Sequence, residues 1–149
     1  MENKEGPNTV IIHESSLSQY AQQIIIGNHI LTADEPVAVG GADAGPSPYD
    51  FLLAGLGACT SMTLRMYANL KKIPVKNIIV KLSHEKVYSK DCENCEDSHS
   101  KIDKIERHIE LQGELSEEQQ DKLLDIANKC PVHRTLTSKI LINTVLMKV

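Results

Sequence analysis

The sequence has no tryptophan, one phenylalanine and four tyrosines, too few flat rings for a base-stacking platform. Positive charge is also scarce: 16 Lys and Arg stand against 20 Asp and Glu, for a net charge of -4. That balance excludes a basic nucleic-acid footprint and polybasic attachment to an anionic membrane. No apolar run approaches the roughly 18 residues of a membrane-spanning helix. The start, Met1-Glu-Asn-Lys-Glu-Gly-Pro, lacks the charged-then-apolar design of an export signal, so the expected location is the cytoplasm. There is no tandem repeat and no H-E-x-x-H. Gly40-Gly41 and Gly45 lack the Lys-Ser/Thr of a phosphate loop.

What is present suits one globular domain over residues 1–149, or a two-layer unit that needs a partner to finish its core: 41% of residues are apolar and 24% charged. Val10-Ile11-Ile12, Gln22 to Ile26 and His29-Ile30-Leu31 read as strands. Gly27-Asn28 forms a two-residue hairpin connection between the last two. Asp34-Glu35-Pro36 turns the chain toward a further strand at Val37-Ala38-Val39, and residues 40–48 are loop. Ser47, Pro48 and Asp50 make an S-x-x-D capping box that opens a long helix. Its residues from Phe51 to Cys59 are almost all apolar or small, which predicts a helix buried on most sides. Leu52, Leu56, Cys59, Thr63, Met66 and Leu70 form the predicted inward stripe. Gly55 and Gly57 predict close approach of another backbone.

Beyond Pro74, Val75 to Val87 and Ile102 to Leu111 read as strands. The second alternates Ile105, Arg107, Ile109 and Leu111 against charged neighbours. Ser116 to Gln119 is a second capping box, and its helix presents Leu123, Leu124, Ala127 and Cys130 on one face. Pro131 begins a short helix, and Ile140 to Leu146 closes the chain as a strand. Strands around a long helix, with a second helix after them, make the class α+β.

The four cysteines carry the chemistry. Reduced compartments disfavour a structural disulfide set. Cys59, inside the long helix, is by position a small buried hydrophobe whose thiol burial would push up. Cys130, just before Pro131, reads as an N-cap whose free N–H groups favour an anionic sulfur, with His133 and Arg134 following. Cys92 and Cys95 form a C-x-x-C among four acids, which suits a solvated hairpin tip or a zinc site with His99 and His84 more than a redox relay.

Gly45-Pro-Ser-Pro-Tyr-Asp-Phe-Leu-Leu-Ala-Gly-Leu-Gly-Ala-Cys59-Thr-Ser-Met-Thr-Leu, followed by Cys130-Pro-Val-His-Arg-Thr-Leu, resembles the OsmC/Ohr family of thiol-dependent peroxidases. The resemblance implies an OsmC-like fold and an intertwined homodimer whose strands complete each other's core, with sites at the interface. It implies that Cys59 attacks a hydroperoxide, organic ones above all. The resulting sulfenic acid is resolved by Cys130, and an external thiol or dithiol restores both, with no bound cofactor. Peroxidases of the family carry an Arg from the N-terminal strands and a Glu at the start of the central helix. This chain has no Arg before Arg65 and has Tyr49 in place of the Glu. Arg134, helped by His133, is the expected substitute cation, and Phe51, Leu52 and Leu56 the expected apolar pocket. Two other readings compete: a dimeric binding module for a small hydrophobic ligand with Cys59 merely buried, and a redox or metal sensor built on Cys92-x-x-Cys95. A Cys59 pKa below about 8.5 favours catalysis and one above it favours packing.

Overall fold

The computed structural model describes residues 8–88 and 100–149. The chain divides into two compact units, one up to Leu52 and one from Leu53 onward. In the first, β1 (Ile11–Glu14), β2 (Gln22–Ile26) and β3 (His29–Ala33) form an antiparallel sheet in the order β1-β2-β3. Gly27 takes the positive φ of 57° that the β2–β3 turn needs. The predicted strand at Val37–Val39 is instead one turn of 3-10 helix. The cause is the buried carboxylate of Asp34, which gathers the loop around itself. Its Oδ1 accepts from Ser18 Oγ and Glu35 N, both at 2.8 Å, and its Oδ2 accepts from Ala42 N and Ala44 N, both at 3.1 Å. A chain folded back onto that carboxylate cannot extend.

Helix α1 (Pro48–Lys71) starts at the expected box: Ser47 N donates to Asp50 Oδ2 at 2.9 Å and Asp50 N to Ser47 Oγ at 3.3 Å. The two satisfied donors fix where the helix begins, and hence the angular position of Cys59 three turns on. In the second unit, β4 (Asn77–Tyr88) and β5 (Lys101–Gln112) pair antiparallel along their whole length. They are followed by α2 (Glu117–Ala127), whose capping box joins Ser116 and Gln119, and α3 (Pro131–Leu136), capped by Cys130. The core is formed by Leu64, Ala68, Val75, Leu123, Ile126 and Ala127.

Three expectations need correction. The buried ridge of α1 is Leu56, Gly57, Thr60, Leu64 and Ala68, turned from the predicted stripe, while Met66 and Leu70 are exposed. The reason is a one-sided environment: within this chain one face of the helix is covered, and Met62, Met66 and Leu70, four residues apart, remain apolar and open on another. Of the two helix glycines, Gly57 makes room for the Leu82 side chain rather than a backbone, and nothing lies near Gly55. Finally, residues 139–149 form no hydrogen-bonded strand. A strand exists only through its ladder, and no strand among the described residues pairs with the segment, leaving Leu141, Ile142 and Leu146 more than four-fifths exposed.

Candidate functional site

Three local rules bring the cysteines together. The Ser47 box sets the phase of α1. The i+4 ridge turns Thr60 fully inward, with Cys59 half-buried beside it. Pro131 stops α2 from running on and starts α3 at its first position, where a missing N–H costs nothing. Cys130, wholly buried, then caps α3, and its Sγ accepts from His133 N at 3.3 Å. Cys59 and Cys130 lie close enough that each shifts the other's titration.

Thr60 joins this pair to a cation. Its hydroxyl donates to Leu56 O at 2.7 Å and lies 3.9 Å from Cys130 Sγ. Arg107 Nη1 donates to Thr60 Oγ1 at 3.0 Å and to Ala127 O at 3.3 Å, and Nη2 donates to Asn128 Oδ1 at 2.9 Å. All three acceptors are neutral, and no carboxylate pairs with Arg107 among the described residues. A half-buried guanidinium without a counter-anion thus holds Thr60, whose hydroxyl lies 3.9 Å from Cys130 Sγ.

Burial and the neighbouring donors act unequally on the two sulfurs. Burial opposes a charge on Cys130, but the Cys59 S–H, the His133 and Val132 N–H groups and the Thr60 hydroxyl outweigh it and hold its pKa below 9.0. Burial pushes Cys59 above that value and the adjoining Cys130 pushes it further, against the pull of Val132 N–H and the Thr63 hydroxyl. Cys59 thus meets the criterion for packing, and Cys130 is the sulfur that holds a charge more readily. His133 is held below 6.5 by burial and then by the nearby charge of Arg107, which keeps its ring neutral.

The structure places the sequence-predicted residues as follows. Cys59 and Cys130 meet. Arg134 does not join them: it is exposed on α3, and its guanidinium makes no hydrogen bond or ion pair among the described residues. Arg107 stands where a cation was sought. Its signal was present in the sequence, because it shares the inward register of Ile105, Ile109 and Leu111, and an arginine on an apolar strand face needs buried acceptors. Of the expected pocket residues, Leu56 lines a cavity of about 390 Å³ with Ile105, Ile109 and Leu136, and Arg107 and His133 form its polar wall. Cys92, Cys95 and His99 lie outside the described residues. His84 is bound to Asp103 Oδ1 at 2.8 Å. Among the described residues no group of three or more His, Cys, Asp or Glu could hold a metal ion, and no helix is long and apolar enough to cross a membrane.

Solved structures share this fold at low identity. An OsmC-like protein from Mycoplasma pneumoniae is 22% identical, covering 89% of this chain and 88% of its own, with a TM-score of 0.65. An organic hydroperoxide resistance protein OsmC from Legionella pneumophila is 18% identical over 87% and 88%, TM-score 0.62. An organic hydroperoxide resistance protein from Bacillus subtilis is 15% identical over 87% and 89%, TM-score 0.60. These likenesses speak for the fold alone. A comparison with curated proteins finds no match. The sequence profile of the OsmC-like proteins matches residues 40–145, a span that holds Cys59, Arg107 and Cys130, and the chain belongs to the OsmC-like protein family.

Proposed function

We propose that the chain is a thiol-dependent peroxidase that reduces organic hydroperoxides. The observation that carries this reading is the approach of Cys59 and Cys130, drawn from two distant segments, with Thr60 and the unpaired guanidinium of Arg107 next to Cys130. The printed names of the Legionella and Bacillus proteins support the substrate class. The sulfur of Cys59, the more accessible thiol, attacks the terminal peroxide oxygen. The O–O bond breaks, the alcohol leaves with a proton, and Cys59 becomes a sulfenic acid. The sulfur of Cys130 then displaces hydroxide, which leaves as water, and a disulfide forms. Two equivalents of an external thiol return the pair to the start, so the electrons come from thiols throughout and the reducing cytoplasm suits the cycle.

The working unit in this reading is a homodimer. The support is apolar surface that one chain leaves open: the Met62, Met66 and Leu70 face of α1 and the uncovered segment from Leu141 to Leu146. In this scheme the cavity bounded by Leu56, Ile105 and Leu136 takes the apolar tail of the peroxide, with Arg107 at its wall. The test is consumption of cumene hydroperoxide by reduced protein, with loss of free thiols counted in parallel. The expected result is one peroxide reduced per two thiols lost, and no turnover by Cys59→Ser. Equal rates for Cys59→Ser and the unaltered protein would exclude the assignment.

The same cavity supports a second reading, a binding module for a small hydrophobic molecule. It predicts thiols inert to peroxide and a ligand-dependent rise in melting temperature that survives Cys59→Ser.

A further inference from the structure

The peroxidase reading leaves open which sulfur carries the charge at rest. Two donors reach Cys130 Sγ, the His133 N–H at 3.3 Å and the Thr60 hydroxyl at 3.9 Å, and Arg107 Nη1 stands behind Thr60 at 3.0 Å. Burial and the adjoining Cys130 push the Cys59 thiol up, whereas the surroundings of Cys130 hold its thiol down. Yet Cys130 is wholly buried, whereas Cys59 can be reached. The better anion and the accessible nucleophile are therefore different atoms.

We propose that the resting thiolate is Cys130, held by Thr60 with Arg107 acting through it, and that Cys130 serves as the base for Cys59. This rests on the peroxidase reading above. The Thr60 hydroxyl has one hydrogen. In the neutral pair it points to Leu56 O at 2.7 Å, a carbonyl that the helix also supplies with a backbone N–H. When Cys130 is charged, the hydrogen turns to Sγ. Arg107 Nη1, fixed on the same oxygen at 3.0 Å, polarises the hydroxyl and holds it in place. Thr60 and Arg107 are thus positioning residues for the thiol pair. Among the described residues the charged or titratable neighbours around Cys130 are Cys59 from α1, Arg107 from β5 through Thr60, and His133 from α3.

When a hydroperoxide arrives, the Cys59 proton passes to the Cys130 thiolate and the freed Cys59 sulfur attacks the O–O bond. The departing alkoxide takes the proton back from Cys130 and leaves as alcohol. Cys130, again a thiolate, attacks the Cys59 sulfenic sulfur. Hydroxide leaves, takes a solvent proton and becomes water. One proton shuttles between the sulfurs, and the buried base becomes the resolving nucleophile without a further deprotonation.

The test is a pH titration of thiolate absorbance near 240 nm on reduced protein without peroxide, in a Cys92→Ser/Cys95→Ser background. With Cys59→Ser, which keeps an O–H donor toward Cys130, the remaining thiol is expected to titrate below the free value of about 8.5. With Cys130→Ser the remaining thiol is expected to titrate above it. Thr60→Val and Arg107→Met should each raise the first midpoint by about one pH unit, while Thr60→Ser should leave it in place. Far-ultraviolet circular dichroism identifies a variant that fails to fold, and Thr60→Ala and Arg107→Gln then take the place of Thr60→Val and Arg107→Met. A low midpoint that survives in Cys130→Ser, or one unmoved by both Thr60→Val and Arg107→Met, would overturn the assignment. Because the titration contains no peroxide, it is independent of whether the protein turns over. Inert thiols with a low Cys130 midpoint would fault the peroxidase reading alone.

Discussion

Oxidising the Cys59–Cys130 pair should make the folded chain harder to unfold, by an amount the structure allows one to estimate. The two sulfurs are neighbours in the reduced fold, so a covalent bond between them requires a modest rearrangement. The bond closes a loop of about 70 residues. Removing that much freedom from the unfolded chain is worth about 15 cal/mol/K, or about 4 kcal/mol at 25 °C. Against this, the His133 N–H keeps only a weaker acceptor in the disulfide sulfur, which returns about 1 kcal/mol. With a urea slope of about 2 kcal/mol/M, the net gain moves the midpoint up by about 1.5 M. Unfolding would be followed with the Cys92→Ser/Cys95→Ser variant, treated with one equivalent of cumene hydroperoxide or held reduced, at equal protein concentration. An oxidised midpoint at or below the reduced one would refute the reasoning, because it would mean the pair must be strained apart to bond.

Three further outcomes follow from the same contacts. Leu123→Ala empties a fully buried position against Leu64 and Ala127 and should cost about 2–5 kcal/mol in urea unfolding; a cost under 1 kcal/mol would mean the α1–α2 core is misdescribed. His133 binds its proton less readily in the folded state than the reference of 6.5, so the unfolded chain binds more protons at mildly acid pH. Stability is therefore full above about 6.5 and declines as pH falls below it; His133→Gln should flatten that decline in melting curves recorded from pH 7.5 to 5. Met66→Lys places a charge on the open face of α1 and should weaken self-association at least ten-fold, about 1.4 kcal/mol, in sedimentation velocity. An unchanged association would remove that face from the dimer interface.

Much of the fold was legible because it is written locally. Ser47 with Asp50, Ser116 with Gln119, and Cys130 before Pro131 each satisfy helix-end donors within four residues, and each stands where the sequence puts it. Gly27-Asn28 likewise needs only its own backbone. The failures are all non-local. Val37–Val39 has strand residues, but Asp34 collects donors from residues on both sides of it. The inward face of α1 depends on which neighbours cover it, and Ile140 to Leu146 finds no pairing strand among the described residues. The candidate site divides in the same way. Two cysteines in recognisable contexts were found from sequence, and the contact between them was implied by family resemblance. Proximity in the chain suggested Arg134, whereas the fold delivers Arg107 from a strand, through Thr60. An arginine in register with Ile105 and Ile109 was the available clue.

The central claim is that Cys59 is oxidised first and Cys130 second. The direct measurement is trapping of the sulfenic acid with dimedone in the Cys130→Ser variant after one equivalent of cumene hydroperoxide, followed by peptide mass spectrometry. The account predicts one adduct, on the peptide carrying Cys59, and in the unaltered protein a Cys59–Cys130 disulfide in its place. An adduct confined to Cys92 or Cys95, or a Cys59 that stays a free thiol while peroxide disappears, would contradict it.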